Sequence, residues 1–147
     1  MHRFAANLSM MFNEHAFLDR FDAAAKAGFT AVEFLFPYEH PPEAIAERLE
    51  RNGLKQVLFN LPPGDWNAGE KGFAARPDKF DELRQSIHTA LPYALATNVR
   101  RLHMMAGLAD RRDPTAVAAF RKSVEWAAKF LGEHGIDVVI VPINHGA

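Results

Sequence analysis

The polar side chains best placed for chemistry are Asn7, Glu33, Asn60, His103, Asn144 and His145, each within or just after a short, strand-like apolar segment. In parallel α/β architectures, ligands gather at the C-terminal ends of strands. A carboxylate, amides and imidazoles at such ends supply acceptors, donors and bases for a small polar molecule. Simpler readings stand beside these. Glu33 in Val-Glu-Phe-Leu-Phe also fits the less buried face of its strand, and His103 between Leu102 and Met104 also fits a hydrogen-bonded core histidine. Met104-Met105 reads as core filling. Glu47, Arg48, Glu50 and Arg51 read as a solvated helix face.

The loop Asn60-Leu-Pro-Pro-Gly-Asp-Trp-Asn-Ala-Gly-Glu-Lys-Gly72 is a further candidate. Its glycines and prolines fix the backbone near a strand end and hold Asp65, Trp66 and Glu70 there. Connections longer than about 12 residues are commonly lids or binding loops.

Composition removes several classes. The 147 residues are 48% hydrophobic and 24% charged, which suits one globular domain with a core. The 17 basic and 18 acidic residues nearly cancel, so no net field favours nucleic acid. Without cysteine there are no disulfides, thiolate zinc sites or cysteine nucleophiles, and the seven histidines remain as ligands or bases. Met1-His-Arg-Phe4 lacks the apolar stretch of a signal peptide, and no apolar run nears the roughly 18 residues of a membrane span. The expected location is cytoplasmic, with no membrane partner.

Short apolar segments alternate with amphipathic ones. Strands are expected at Phe4–Met11, Ala31–Phe36, Leu54–Asn60, Arg101–Gly107 and Asp137–Val141. Asn13 is expected to cap a first helix carrying Phe17, Leu18, Phe21 and Ala25, which stops at Gly28. Pro41 and Pro42 open a second helix with Ile45 and Leu49 inward and Gly53 at its end. Phe80, Leu83, Ile87 and Leu91 mark a third, which Pro92 should interrupt or kink at a cost of ~3 kcal/mol. Asp113 and Pro114 begin a fourth, with Val117, Phe120, Val124, Ala127 and Leu131 at helical spacing and Gly135 closing the run.

Helix-length connections between strands favour parallel pairing through right-handed crossovers. A doubly wound sheet for dinucleotides expects a glycine-rich loop after the first strand, but Asn7-Leu-Ser-Met-Met-Phe-Asn13 has no glycine. That weakens the doubly wound reading without removing it, and an α/β fold of the (β/α)8 barrel type competes with it. Eight units occupy ~250 residues, so four units and a fifth strand make a single partial-barrel domain, truncated after that strand.

Four motifs carry a resemblance: Phe4-Ala-Ala-Asn-Leu-Ser-Met-Met, Val32-Glu-Phe-Leu-Phe-Pro-Tyr, Asn60-Leu-Pro-Pro-Gly-Asp-Trp-Asn-Ala-Gly-Glu and Pro142-Ile-Asn-His. Together they resemble the hydroxypyruvate isomerases and the closely related 2-oxo-tetronate isomerases, within the xylose-isomerase-like barrels. Arg101-Leu-His-Met-Met-Ala-Gly suits either group. The resemblance implies interconversion of an α-hydroxy ketone and an α-hydroxy aldehyde, such as hydroxypyruvate and tartronate semialdehyde, by proton transfer through an enediolate. It also implies a divalent cation, Mg²⁺ or Mn²⁺, that polarises the carbonyl, and two carboxylates as acid and base. The implied substrate contacts are Glu33, Asn60, Asp65, Trp66, His103, Asn144 and His145.

One departure matters. The resembled family ends its fifth strand Glu-Pro-Ile-Asn-His, with the glutamate both metal ligand and proton-transfer group, whereas this chain reads Val141-Pro-Ile-Asn-His145. An isopropyl group neither binds a hard cation nor takes a proton. The other implied ligands and the second glutamate belong to later strands, so the chain alone is expected to hold no metal and to be inactive. Open sheet edges would favour self-association or pairing with a complementing fragment. A non-catalytic half-barrel that pairs in this way, or a degenerate gene product, is the alternative reading.

Overall fold

The computed structural model describes residues 1–141. Its elements run β1 (Ala6–Asn7), α1 (Arg20–Lys26), β2 (Ala31–Glu33), α2 (Pro42–Asn52), β3 (Lys55–Asn60), α3 (Phe80–Thr97), β4 (Arg101–His103), α4 (Pro114–Gly132) and β5 (Asp137–Val139), with 3-10 turns Phe17–Asp19 and Pro77–Lys79 leading into α1 and α3. The five strands are parallel and lie in chain order, β1-β2-β3-β4-β5. Sequential parallel order with a helix in each of the four connections is the winding of a (β/α) barrel, not of a doubly wound sheet, whose strand order reverses.

The core lies between sheet and helices. Val32, Phe59 and Leu102 from the strands meet Phe21, Ile45, Leu49, Leu83, Ile87, Ala127 and Leu131 from the helices, all buried. In α2 the local signals act as anticipated. Pro41 is the extended cap residue, Pro42 opens the helix, Ile45 and Leu49 face inward, and Gly53 takes the left-handed conformation at φ 60°. Asp113 caps α4 by accepting from the Thr115 N–H at 2.9 Å. Among the described residues, no helix is long and apolar enough to cross a membrane.

Several boundaries differ from expectation, each for a local reason. Strand β1 has two residues instead of eight because the Asn7 side chain accepts from Ser9 N, and Asn7 O from Met10 N and Met11 N, which turns the chain. Asn13 is not a cap: its amide donates to Met10 O, and the helix begins only after Phe17–Asp19. Regular pairing of β2 ends at Glu33, where β3 carries an extra residue: Val32 pairs with Gln56 but Glu33 with Leu58. Strand β4 stops at His103, since Ala106 turns away to bridge Gly72 in the antiparallel sense. Strand β5 ends at Val139. Pro92 does not interrupt α3, which continues to Thr97. Both Pro92 and His88, whose carbonyl loses its N–H partner, are exposed, so water can satisfy that carbonyl.

Candidate functional site

Parallel register brings the polar strand-end residues together in pairs. Asn7 lies beside Glu33, and its amide donates to Glu33 Oε1 at 3.4 Å. Asn60 lies beside His103, with Asn60 Oδ1 3.1 Å from His103 Nδ1. The Asn60 amide nitrogen points to Met105 Sδ at 4.0 Å, which leaves Oδ1 for the imidazole. An amide oxygen only accepts, so Nδ1 carries the hydrogen and Nε2 keeps its lone pair. Burial pushes the His103 pKa below its ordinary value, which favours the neutral ring at neutral pH.

The loop after β3 is fastened across the end of β4. Leu61 N donates to His103 O, Gly72 N to Pro63 O and Ala75 N to Ala106 O, and the Ser123 hydroxyl of α4 donates to Ala74 O. Gly72 has φ 101°, and a Cβ there would stand 2.3 Å from Met105 O. Only glycine lets the two backbones approach so closely. Within the loop, Asp65 accepts from Ala68 N at 3.1 Å, and Glu70 accepts from Asp65 N at 2.6 Å. Trp66 packs edge-on against Phe36 at 5.4 Å and carries Lys71 Nζ 3.1 Å from its ring centroid.

Between this loop, the end of β4 and the start of α4 opens a cleft of about 730 Å³, whose lining includes His103, Trp66, Lys71, Arg111 and Val141. Of the residues read from sequence, His103 and Trp66 thus line one space, with Asn60 behind the imidazole. Glu33 is held by Asn7 and does not line this cleft, and neither does Asp65, whose carboxylate holds its own turn. Asn144 and His145 lie outside the described residues. Sequence reading passed over Tyr38, Lys71 and Arg111. Tyr38 donates its hydroxyl to Asn60 O, and burial raises its pKa above the ordinary range. Tyr38 and Lys71 stood inside or beside quoted motifs, but nothing local signalled that a tyrosine would reach the next strand or that a lysine would face β4.

The cation implied by the resemblance does not fit this donor set. Among the described residues, the cleft lining holds His103 as its one histidine, two cationic side chains and no aspartate or glutamate. Among the described residues, no three His, Asp or Glu side chains gather where they could hold a metal ion. Val141, 52% exposed at the cleft, offers no donor atom.

The strand order agrees with comparison at the level of family: the chain belongs to the xylose isomerase-like TIM barrel family, whose sequence model matches residues 21–147. More specifically, it is 53% identical over 146 residues to the 2-oxo-tetronate isomerase of Cupriavidus necator, covering 98% of this chain and 56% of that protein. It is 40% identical to the hydroxypyruvate isomerase of Escherichia coli, covering 99% and 57% respectively. A crystal structure described as an AP endonuclease, family 2, from Brucella melitensis superposes with a TM-score of 0.95 at 50% identity, over 98% of this chain and 56% of that one. The chain therefore spans a little over half the length of these relatives.

Proposed function

We propose that this chain carries a substrate-binding face of a hydroxypyruvate isomerase-type barrel, for small keto- and hydroxy-acids such as hydroxypyruvate or a 2-oxo-tetronate. The observation that carries the reading is the Asn60–His103 pair at the cleft. A neutral imidazole with its Nδ1 hydrogen committed to Asn60 presents Nε2 as an acceptor, which suits a substrate hydroxyl. The names of the relatives support the substrate class. A cytoplasmic location goes with this reading.

The reaction of such an enzyme moves a carbon-bound proton between neighbouring carbons, and a base must reach that proton. Val141 stands where the resembled family places a glutamate, and among the described residues the cleft lining offers no carboxylate. By itself, then, the chain binds substrate without turning it over and holds no divalent cation. The test is to incubate it with hydroxypyruvate and Mn²⁺ in deuterated water. Saturable binding without carbon-bound proton exchange above the blank is expected. Exchange would overturn the inactive reading, and failure to bind would overturn the substrate class.

A second reading, a half-barrel that pairs with another polypeptide, has its own support. Among the described residues, strands β1 and β5 have one neighbour each, and Phe4, Met10, Met11, Ile140 and Val141 near these edges are exposed. Sedimentation equilibrium decides it: self-association is expected, and a monomer at all concentrations would exclude association with itself.

A further inference from the structure

The cleft combines features that the strand-end reading leaves unused. Lys71 and Arg111 both line it, and among the described residues neither forms an ion pair with a carboxylate and the lining includes no acidic side chain. The chain as a whole is nearly neutral, at −1, so this concentration of positive charge is local. Nor is Lys71 a freely swinging surface lysine. It is half-buried, its ammonium rests on the Trp66 ring, and the residue after it is the Gly72 that locks the loop against Met105 and Ala106. Arg111 is exposed and reaches the cleft from the other side. It lies in the turn closed by the Asp113 N–H to Asp110 O bond, just before α4.

We propose that Lys71 and Arg111 form a carboxylate-binding pair that makes this cleft select keto- and hydroxy-acids over neutral sugars of the same length. The proposal rests on the cleft being the substrate site. The ammonium and guanidinium supply charge-assisted donors to the acid group. His103 Nε2, in the same cleft, is left to accept from a hydroxyl of the same molecule. Trp66 holds Lys71 in place, so less side-chain freedom is lost on binding.

Hydroxypyruvate and dihydroxyacetone differ only in that a carboxylate replaces a CH₂OH group, so calorimetric titration of the chain with both isolates the acid group. Hydroxypyruvate should bind at least about tenfold more tightly. Lys71→Met and Arg111→Met should each weaken hydroxypyruvate binding by about tenfold while leaving dihydroxyacetone within about twofold, and Lys71→Arg should restore much of the loss. On the unmutated chain, raising the salt concentration should weaken hydroxypyruvate and not dihydroxyacetone, a readout independent of how any variant folds. Equal affinities for acid and ketose, or equal losses for both in the variants, would overturn the pair. Inorganic phosphate competing as strongly as hydroxypyruvate would overturn a carboxylate site in favour of a phosphate site. Oxalate separates this proposal from the substrate reading. Lys71-dependent oxalate binding with no hydroxypyruvate binding would uphold the pair and remove the keto-acid reading, and binding of neither acid would remove the pair.

Discussion

His103 Nδ1 lies 3.1 Å from Asn60 Oδ1, across neighbouring strands whose register sets the two residues side by side. The backbone ties the same pair into its surroundings: Leu61 N donates to His103 O, and the Tyr38 hydroxyl donates to Asn60 O. The imidazole is thereby fixed in tautomer and held at the cleft by the strands, with the loop fastened above it. A site built this way depends on the strand ends more than on any flexible segment.

The first prediction concerns protonation. Burial holds the His103 pKa below its ordinary 6.5, so near that pH the unfolded chain binds more protons than the folded one. Stability should therefore rise with pH through this range: the burial of neutral His103 is free of penalty above the unfolded value and becomes costly as pH falls below it. His103→Gln should flatten the part of the pH-stability curve between pH ~7 and ~5 that this ring contributes, as read by urea unfolding. Asn60→Asp places a carboxylate on the ring and should raise its pKa by about one unit or more in an NMR titration.

Gly72→Ala should destabilise the chain by about 1–3 kcal/mol, because the new Cβ meets Met105 O and φ stays at 101°. Gly69→Ala is the control: φ is 89°, but nothing lies within 4 Å of its Cβ. Its loss should be smaller, and the difference in urea midpoints measures how tightly the loop is fastened to β4.

Asp113→Ala removes the acceptor for the Thr115 N–H and should cost about 1 kcal/mol in thermal or urea unfolding, whereas Asp113→Asn should cost much less.

Val141→Glu restores a carboxylate at the cleft but leaves it with His103 as its one potential companion ligand among the described residues. Hard divalent cations need several oxygen ligands. The variant should therefore gain no tight Mn²⁺ binding in an electron paramagnetic resonance titration, and a tight stoichiometric site would contradict the donor-set argument.

Much of the fold was legible because its signals are local. The Pro41-Pro42 start, the Ile45 and Leu49 spacing and Gly53 define α2 within a dozen residues, and Asp113-Pro114 does the same for the start of α4. Strand lengths were not legible, since competing contacts cut them short: the Asn7 side-chain Oδ1 accepts from Ser9 N, and the Gly72 backbone draws Ala106 away from β4. Pro92 misled because one part of proline's helix penalty, the carbonyl left without an N–H partner, can be met by water at exposed His88. At the site, His103 and Asn60 could be picked out by strand-end position. Lys71 and Arg111 could not, because the cleft they line exists only once a loop some forty residues earlier in the chain has closed over β4.

If the cleft beside His103 receives a small keto-acid, nitrogen-15 NMR of the histidine side chains during a hydroxypyruvate titration registers it at that ring. His103 Nε2 should shift saturably while Nδ1 keeps its proton toward Asn60, with His15, His88 and His134 unmoved. Titration to saturation that leaves both His103 nitrogens unchanged would contradict it.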